Sequence, residues 1–388
     1  MISFDNTEIA FGSKSDSDLN WSYRLFSLMG KPWLVKVGKG LTNFAFALRL
    51  PVKGLIKKTI FKQFCGGESI QDCDQKIAQL HAFKIGTILD YSVEGKESVA
   101  DLEATKNEII ETIKKSKGNE AIPFAVFKVT GVSRFSLLEK ANTGIENLTD
   151  TEKREYAEVL LRIDAICKSA HSLDTPLFID AEDSWIQDAI DNIVDAMMAK
   201  YNKEKAIVYN TLQMYRHDRL AFLKRSYEKA KSGGYYLGVK LVRGAYMEKE
   251  RERAKAKGYP SPIQPDKFST DRDYNLAIEF MVEHLDHIAI CAGTHNEESS
   301  ALMARLLIEK QIHRNHSHAY FAQLLGMSDH ISFNLAHEGF NVAKYVPYGP
   351  IKEVMPYLIR RAEENTSVAG QMGRELALIV AEKKRRKL

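Results

Sequence analysis

Residues 236–246 read Tyr-Leu-Gly-Val-Lys-Leu-Val-Arg-Gly-Ala-Tyr, an apolar and β-branched run that ends in polar residues and glycine. A run of this length and composition predicts a buried β-strand that ends at Val242. Seven further runs of the same kind lie on either side of it. The eight predicted strands are Ile88–Val93, Phe124–Val129, Pro176–Asp180, Ile207–Thr211, Tyr236–Val242, Ile288–Ala292, Ile331–Leu335 and Ala343–Val346.

Longer amphipathic segments lie between these runs, as in Ser98–Lys117 and Trp185–Tyr201. They are long enough to form the helical crossover that joins two parallel strands. Eight such βα units over roughly 300 residues predict a (β/α)₈ barrel, the TIM barrel of the α/β class. We therefore divide the chain into a helical, basic extension (1–84), the barrel (85–370) and a helical, basic tail (371–388).

The composition is that of an ordinary globular protein, since 44% of the 388 residues are hydrophobic and 27% are charged. It argues against intrinsically disordered, collagen-like and disulfide-stapled classes. The net charge of +4 is too small to predict nucleic-acid binding by charge alone. No run of 18 apolar residues and no signal-peptide pattern occurs, so we expect a cytoplasmic location without a membrane span.

Charge is distributed unevenly, because the segment 19–67 holds nine basic residues and no acidic one. Aromatic residues such as Trp21 and Trp33 are interspersed among them. A helical extension packed on the main domain, with a solvated basic face, is the favoured interpretation. A surface for anionic lipid or nucleic acid is the alternative. The basic run 383–387 is interpreted in the same way, as a solvated helix end or a membrane contact.

The signals for a metal site are weak. The cysteines include no C-x-x-C pair, which disfavours zinc and fits thiols that stay reduced in a cytosol. The histidines at 313, 316 and 318 are close in sequence, but no carboxylate or thiolate joins them locally, so a solvated loop is favoured and no metal is expected. The cysteines are Cys65, Cys73, Cys167 and Cys291.

Polar residues collect where the predicted strands end. A barrel of this class has its active site at the carboxyl ends of its strands, so these residues are the natural candidates. For any one of them, a satisfied polar group at the rim is the simpler explanation, but their coincidence at one rim favours a site. The candidates are Lys128, Asp180, Asn210, Gln213, Lys240, Arg243, Thr294, His295 and Tyr345.

The helix predicted after the eighth strand adds two cations. Arg360 and Arg361 differ by 100° around a helix and can face the same mouth, and Glu364 follows three and four residues later. Together with Lys128, two guanidiniums would form a strong clamp for a carboxylate. Pro356 leaves the start and direction of this helix open.

Five short motifs that contain these candidate residues together resemble the proline dehydrogenase (proline oxidase) family. They occur in the family's order over roughly residues 85 to 370. The resemblance implies a distorted (β/α)₈ barrel that holds non-covalent FAD. It also implies oxidation of L-proline to Δ¹-pyrroline-5-carboxylate and transfer of the electrons to a membrane quinone. The motifs are Asp180-Ala181-Glu182, the run 240–246, Gly293-Thr294-His295-Asn296, the run 344–350 and the run 357–365.

The resemblance also assigns roles to single residues. It implies that Lys128, Arg360 and Arg361 bind the proline carboxylate, that Glu364 orients the arginines, and that Tyr246, Tyr345 and Tyr357 line the ring. It implies catalytic roles for Asp180, Lys240 and Lys128, with Lys240 near the reactive edge of the flavin. The implied cofactor residues are Asp180, Ala181, Asn210, Gln213, Lys240, Arg243, Gly244, Ala245, Thr294 and His295.

Two details refine the resemblance. Many bacterial members have arginine and then lysine where this chain has Lys240 and Arg243, an order more similar to the mitochondrial members. Tyr345 is similar to the residue of the proline-preferring branch, which leaves hydroxyproline oxidation as the alternative substrate specificity. Without a targeting peptide, we expect a bacterial cytoplasmic protein with peripheral membrane contact.

Three other functions stay open as alternatives. A nicotinamide enzyme would use Gly38-Lys39-Gly40, but this motif lacks the third glycine and a clear βαβ unit. A Schiff-base lyase would use Lys128 or Lys240 as the nucleophile. A non-catalytic membrane or nucleic-acid adaptor would act through residues 19–67.

Overall fold

The structure, a computed structural model, describes residues 2–29, 33, 53–93, 95, 97–367 and 369–388, without the side chains of residues 53, 55 and 362–372. Eight strands follow one another in chain order as a closed barrel, and the observed pairings are parallel. The predicted (β/α)₈ barrel is confirmed. The strands are β1 Ile85–Tyr91, β2 Phe124–Lys128, β3 Leu177–Asp180, β4 Val208–Gln213, β5 Leu237–Val242, β6 Ile288–Gly293, β7 Ala319–Leu324 and β8 Val342–Tyr348.

Helices precede the barrel, alternate with its strands and follow it. The segments before β1 are the helices Thr7–Ala10, Asp16–Met29, Lys53–Ile56, Lys62–Phe64 and Asp74–His81, the π-helix Lys57–Phe61 and the 3₁₀ turn Gln71–Cys73. The helices among and after the strands are Val99–Ser116, Phe135–Asn142, Asp150–Ser172, Ser184–Tyr201, Arg219–Gly233, Met247–Lys257, Lys267–Glu283, Glu297–Glu309, Asp329–His337, Ile351–Ser367 and Ala369–Arg385, with short 3₁₀ turns at Val129–Gly131 and Ile145–Asn147.

Local chemistry sets several of these boundaries. Thr149 and Glu152 form a capping box at the start of the helix Asp150–Ser172, in which each side chain accepts a hydrogen bond from the backbone N–H of the other residue. The helix Arg219–Gly233 ends at Gly234, whose φ of +62° suits glycine. These capping signals involve only residues close in sequence, so they set the helix boundaries independently of tertiary packing.

The sequence-based prediction of the seventh strand was wrong. The run Ile331–Leu335 lies in the helix Asp329–His337, and β7 is Ala319–Leu324. Residues 329–336 are all buried, so this helix has no polar face that would reveal its 3.6-residue period. The alternation of Ile331, Phe333 and Leu335 therefore imitates a strand.

The chain forms two compact units, Met1–Val93 with Gln323–Leu388, and Glu94–Ala322. In the first unit, β1 pairs with β8 along its whole length, from Ile85 opposite Val342 to Tyr91 opposite Tyr348. The second unit contains β2 to β6 and the start of β7. None of the helices described has the length and apolarity needed to cross a membrane.

In the first unit, the amino-terminal extension packs on the helix Ile351–Ser367, which carries Arg360 and Arg361. Side chains of the extension, of this helix and of the last helix share one buried apolar cluster. The part of the cationic segment at residues 30–32 and 34–52 lies outside the described residues, and the proposed lipid contact there stays a prediction. Members of the cluster include Phe11, Leu19, Phe26, Phe61, Phe64, Tyr357, Leu358, Leu378 and Ile379.

A fully buried lysine, Lys344, joins the elements around β8. Its Nζ donates hydrogen bonds to the carbonyl oxygen of Met327 (2.6 Å) and to Oδ1 of Asp329 (2.8 Å). Lys14 Nζ lies 3.2 Å from the other carboxylate oxygen of Asp329. Burial alone would raise the pKa of Asp329, but the two ammonium groups outweigh it and hold the pKa well below its usual range.

Replacement of Lys344 with methionine should lower the free energy of unfolding by about 3–5 kcal/mol, because a buried carboxylate loses one of its two cations. Urea denaturation measures this change. Lys114→Met is the control, since Lys114 and Glu111 form an exposed pair at 2.7 Å whose loss should cost less than about 1 kcal/mol. Equal losses in the two variants would contradict the analysis.

The same pair predicts a pH effect of defined sign. The pKa of Asp329 is lower in the folded than in the unfolded chain, so its contribution to stability is present above about pH 4 and is lost on acidification. In an Asp329→Asn variant, this part of the acid-induced loss of stability should be absent.

Candidate active site

An aromatic layer lies inside the second unit of the barrel. The rings of Phe124 and Phe178 stack with centroids 4.3 Å apart, and Tyr209 meets Phe178 edge to face at 5.3 Å. These residues lie near the amino ends of β2, β3 and β4. Because side chains alternate along a strand, the inward positions beyond this layer are two and four residues further on, toward the carboxyl ends. Asp180 and Thr211 occupy two of them.

A charged pair, Lys240 and Asp180, lies just above this layer. The Nζ of Lys240 donates a hydrogen bond to the carboxylate of Asp180 and lies 5.2 Å from the centroid of the Phe178 ring. Lys240 is 3% exposed. Lys128 ends β2 directly opposite Asp180 in the strand register. The structure therefore brings together the three residues for which the resemblance implied catalytic roles, while the roles themselves stay predictions.

Glu182 is a buried carboxyl group that the sequence analysis did not include among the candidates. Its carboxylate accepts hydrogen bonds from the backbone N–H of Thr130 (3.0 Å) and from the Thr130 hydroxyl. Burial raises the pKa of Glu182 to about 7, although the Thr130 hydroxyl and the Lys128 ammonium act to lower it. The signal available in the sequence was an acidic residue two positions beyond the end of a predicted strand.

The polar residues of β4 face two different environments. The side chain of Asn210 donates to Asp191 Oδ1 (2.9 Å) in the helix layer and accepts from the backbone N–H of Thr211 (2.8 Å). Thr211 and Gln213 alternate with it and face the barrel interior. The Thr211 hydroxyl and Gln213 Oε1 are buried and have no hydrogen-bond partner among the described residues. Unpaired buried acceptors of this kind are costly, and a bound ligand would satisfy them.

Arg243, at the end of β5, is held on three sides. Its guanidinium donates to Asp271 Oδ1 (2.7 Å), to the Thr294 hydroxyl (2.6 Å) and to the Ser299 hydroxyl (3.0 Å), and it lies 4.3 Å from the centroid of the Tyr274 ring. The predicted cofactor residues Arg243 and Thr294 are thus in direct contact. His295 follows Thr294 and is half-buried.

The segment Gly244–Tyr246 is held by the helix that follows it, Met247–Lys257. Glu250 of this helix is fully buried and accepts from the backbone N–H (2.7 Å) and the hydroxyl (2.6 Å) of Ser184, at the start of the helix Ser184–Tyr201. Two further contacts accompany it: Lys249 donates to Asp183 at 2.8 Å, and the Arg253 guanidinium lies 4.2 Å from the Trp185 ring. A carboxylate at a helix amino terminus is favourable, so these contacts fix the segment from one end.

The remaining predicted residues lie in the first unit. Tyr345, on β8, is buried. The helix Ile351–Ser367 begins before Pro356, so a late start is not observed. On it, the Arg361 guanidinium lies 5.2 Å from the Tyr357 ring, a cation–π contact one turn apart. Arg360 is half-buried, and the side chain of Glu364 lies outside the described residues. The clamp of Lys128 with the two arginines draws on both units and stays a prediction.

The alternative sites have less support. The His316 and His318 rings lie 5.3 Å apart, but the His316 Nδ1 accepts from the backbone N–H of His318. Within the described parts of the chain, no group of three or more His, Cys, Asp or Glu residues is arranged to hold a metal ion. The four cysteines are buried and form no disulfide bond with one another. The glycine motif at 38–40 lies outside the described residues.

Comparison with known proteins identifies relatives of this chain. Residues 73–374 match the model of the family described as proline dehydrogenase. "Proline dehydrogenase 1, mitochondrial" of Dictyostelium discoideum is 32% identical over 98% of this chain and 74% of its own length. "Carbapenem antibiotics biosynthesis protein CarD" of Pectobacterium carotovorum is also 32% identical, over 83% of each chain.

Solved structures show the same fold. The chain superposes on proline utilization A from Bdellovibrio bacteriovorus with a TM-score of 0.71, over 94% of this chain. The sequence identity is 20%, and the chain spans 36% of the length of that protein. The predicted barrel is therefore found in a solved structure with little sequence similarity.

Replacement of Gly244 with alanine should lower the free energy of unfolding by about 1–3 kcal/mol. Gly244 has a φ of +125°, and a Cβ atom there would lie 2.6 Å from the buried Tyr215 ring. Gly258→Ala is the matched control, since Gly258 also has a positive φ (+73°) but no heavy atom within 4 Å of the added Cβ. Thermal unfolding of both variants measures the difference, which would vanish if the Tyr215 ring could move aside.

Proposed function

Because the chain belongs to the proline dehydrogenase family, we propose that it oxidises L-proline to Δ¹-pyrroline-5-carboxylate with non-covalently bound FAD and passes the electrons to a quinone. The observation that carries the proposal is the inward-facing Lys240–Asp180 pair beside the unpartnered Thr211 hydroxyl and Gln213 carbonyl. Thr211 lies opposite Lys240 in the register of β4 and β5. A cation, a carboxylate and two polar groups that need a ligand thus meet at one end of the barrel.

The residues of the second unit fit a flavin. Gln213 Oε1 can accept from a ring N–H, and the Thr211 hydroxyl can donate to a ring carbonyl, which would satisfy both orphaned atoms. Arg243, held by Asp271 and Thr294, supplies positive charge next to the exposed backbone of Gly244 and Ala245, where a phosphate chain can approach. When bound, FAD supplies the acceptor for a hydride.

The cations of the site have two tasks in this proposal. Lys128, Arg360 and Arg361 bind the proline carboxylate, with Glu364 orienting the arginines. Departure of a hydride from the carbon next to nitrogen requires a neutral amine, because the nitrogen lone pair supplies the electrons of the new double bond. Nearby positive charge favours this deprotonated amine. Binding and chemistry therefore depend on the same cations.

The aromatic residues define the space for the ring. We propose that Tyr246, Tyr345 and Tyr357 line the substrate, with Arg361 fixed over Tyr357 as the structure has it. An orienting site of this kind lowers the barrier because the reacting carbon is held against its acceptor. Tyr345 favours proline over hydroxyproline, since its bulk and hydroxyl occupy space that a ring hydroxyl would need.

A Schiff-base lyase is less well supported. A lysine nucleophile has to be neutral, whereas the Lys240 ammonium donates to the Asp180 carboxylate. Lys240 instead supplies an ammonium group at the barrel end, which suits the reactive edge of a flavin that gains negative charge on reduction.

The proposal also covers the electron acceptor and the location of the protein in the cell. The cationic, aromatic segment 19–67 suits contact with anionic lipid, where a quinone is dissolved. We accordingly propose a peripheral protein at the inner face of a bacterial membrane. Nicotinamide and nucleic acid have no part in it.

Anaerobic titration of the purified protein with L-proline should bleach the visible absorbance of bound FAD, and a soluble quinone added afterwards should restore it. In steady-state turnover with the quinone, kcat/KM for hydroxyproline should be much lower than kcat/KM for L-proline. A colourless protein, or a yellow one that L-proline leaves unchanged, would rule out the proposed reaction.

The carboxylate clamp is tested in the same assay. Arg360→Met and Arg361→Met should each raise KM for proline by about tenfold to a hundredfold, because each removes a charged hydrogen bond, while FAD stays bound. If neither variant changes KM, the clamp is wrong even though the reaction stands.

Gln213→Leu should weaken FAD binding by about tenfold without lowering the stability of the protein freed of FAD, because it removes an acceptor that only the cofactor satisfies. Asn210→Leu is the matched control on the same strand. It breaks the hydrogen bond to buried Asp191, so it should destabilise the folded chain with or without FAD. FAD release followed by fluorescence, together with urea denaturation, separates the two effects.

A further inference from the structure

One buried carboxylate joins the loops that follow β2 and β3. The carboxylate of Glu182, two residues beyond β3, accepts hydrogen bonds from the backbone N–H of Thr130 (3.0 Å) and from the Thr130 hydroxyl. Thr130 lies in the 3₁₀ turn Val129–Gly131, which starts directly after Lys128. The backbone of Glu182 is itself fixed, because its N–H donates to Gln187 Oε1 at 2.8 Å. Glu182 thus anchors the turn that carries Lys128.

The charges around Glu182 come from several elements. Lys128 at the end of β2 stabilises its charged form, and Asp183 on its own loop opposes it. Lys249 of the helix Met247–Lys257 donates to Asp183 at 2.8 Å and offsets that repulsion. From the helix Ser184–Tyr201, Gln187 binds Asp191, whose charge is in turn bound by Arg219 at 2.7 Å. Lys128 therefore acts directly on the charge of Glu182, whereas Lys249 acts on Asp183.

We propose that Glu182 is a positioning residue that holds Lys128 in place through Thr130 and, by gaining or losing its own proton, sets how strongly Lys128 binds the carboxylate of the substrate. This inference rests on the proposed function, in which Lys128 belongs to the carboxylate clamp. It extends that function by a residue whose hydrogen bonds are to Thr130 and Gln187.

The physical reason is competition for one ammonium group. When Glu182 is protonated, the charge of Lys128 is available to a carboxylate ligand. When Glu182 ionises, its own carboxylate draws on the same charge and weakens the ligand's hold. Burial places this change near neutral pH, since it raises the pKa of Glu182 to about 7. Carboxylate binding should therefore weaken as the pH rises from 6 to 8.

The test uses the FAD-loaded protein and cyclopentanecarboxylate, a ring of the size of proline without its amine, so that the probe does not titrate in this range. Its Kd, measured by calorimetry, should rise by about three- to tenfold between pH 6 and pH 8 in the wild type. In Glu182→Gln the Kd should stay flat and close to the low-pH value of the wild type, because glutamine keeps both contacts with Thr130 and cannot ionise.

Two further variants separate charge from structure. Thr130→Ser keeps the hydroxyl and should preserve both the Kd and its pH dependence. Thr130→Val removes the hydroxyl and leaves Glu182 titratable. The Kd should therefore rise at pH 6, where Glu182 is protonated, and the pH dependence should persist but move to higher pH, because the lost hydroxyl acted to lower the pKa of Glu182. If Glu182→Gln fails to fold, Thr130→Val still decides the positioning part.

Stability gives an independent readout. The pKa of Glu182 is raised by folding, so its contribution is fully present below the unfolded value near 4.3 and is lost as the pH rises through about 7. The wild type should therefore lose stability relative to Glu182→Gln between pH 5 and pH 8.

An equal pH dependence of the Kd in the wild type and in Glu182→Gln would overturn the inference, as would a wild type that does not bind the probe at any pH. Failure of the proposed function looks different: L-proline would then leave the flavin oxidised, whereas the comparison of Kd values would still report on Glu182 and Lys128.

Discussion

The ion pair of Lys240 with Asp180 is the constraint from which the site in the second unit follows. A charge inside a closed barrel is expensive unless a partner and further hydrogen bonds compensate its lost hydration. The aromatic layer of Phe124, Phe178 and Tyr209 closes the interior on one side of this pair. The polar side chains of Asp180, Thr211 and Lys240 lie beyond that layer, toward the carboxyl ends of their strands. The aromatic layer and the Lys240–Asp180 pair together indicate where a ligand would bind.

Alternation along the strands separates two polar systems that are adjacent in sequence. Asn210 faces the helix layer, where it joins buried Asp191, Gln187 and Arg219 in a satisfied network. Thr211, the next residue, faces the interior and keeps an unsatisfied hydroxyl. The first system stabilises the fold because every charge has a partner. In the second, the buried Thr211 hydroxyl lacks a hydrogen bond that a bound ligand could supply. A shift of one residue along the strand therefore decides whether a polar side chain joins the helix-layer network or faces the barrel interior.

In the first unit, the extension and the last helix support the helix that carries the arginines. Their apolar side chains form one buried cluster with Tyr357 and Leu358, and this packing lets the helix continue through Pro356 despite the lost backbone hydrogen bond. The buried Lys344–Asp329 pair fixes β8 next to Tyr345. The extension and the last helix therefore support the helix that carries Tyr357, Arg360 and Arg361, three of the predicted substrate residues.

Strand runs and the polar residues that end them are local patterns, so they predicted the (β/α)₈ barrel, seven of its eight strands, and Lys128, Asp180 and Lys240 as candidates for one site. The position of β7 could not be predicted, because residues 329–336 of the helix Asp329–His337 are all buried and hide its 3.6-residue period. Two features depend on three-dimensional packing: Asn210 faces the helix layer, and Glu182 anchors the turn after Lys128 through Thr130. No local pattern contains them, because burial, hydrogen-bond partners and the resulting pKa values depend on residues 19 and 52 positions away.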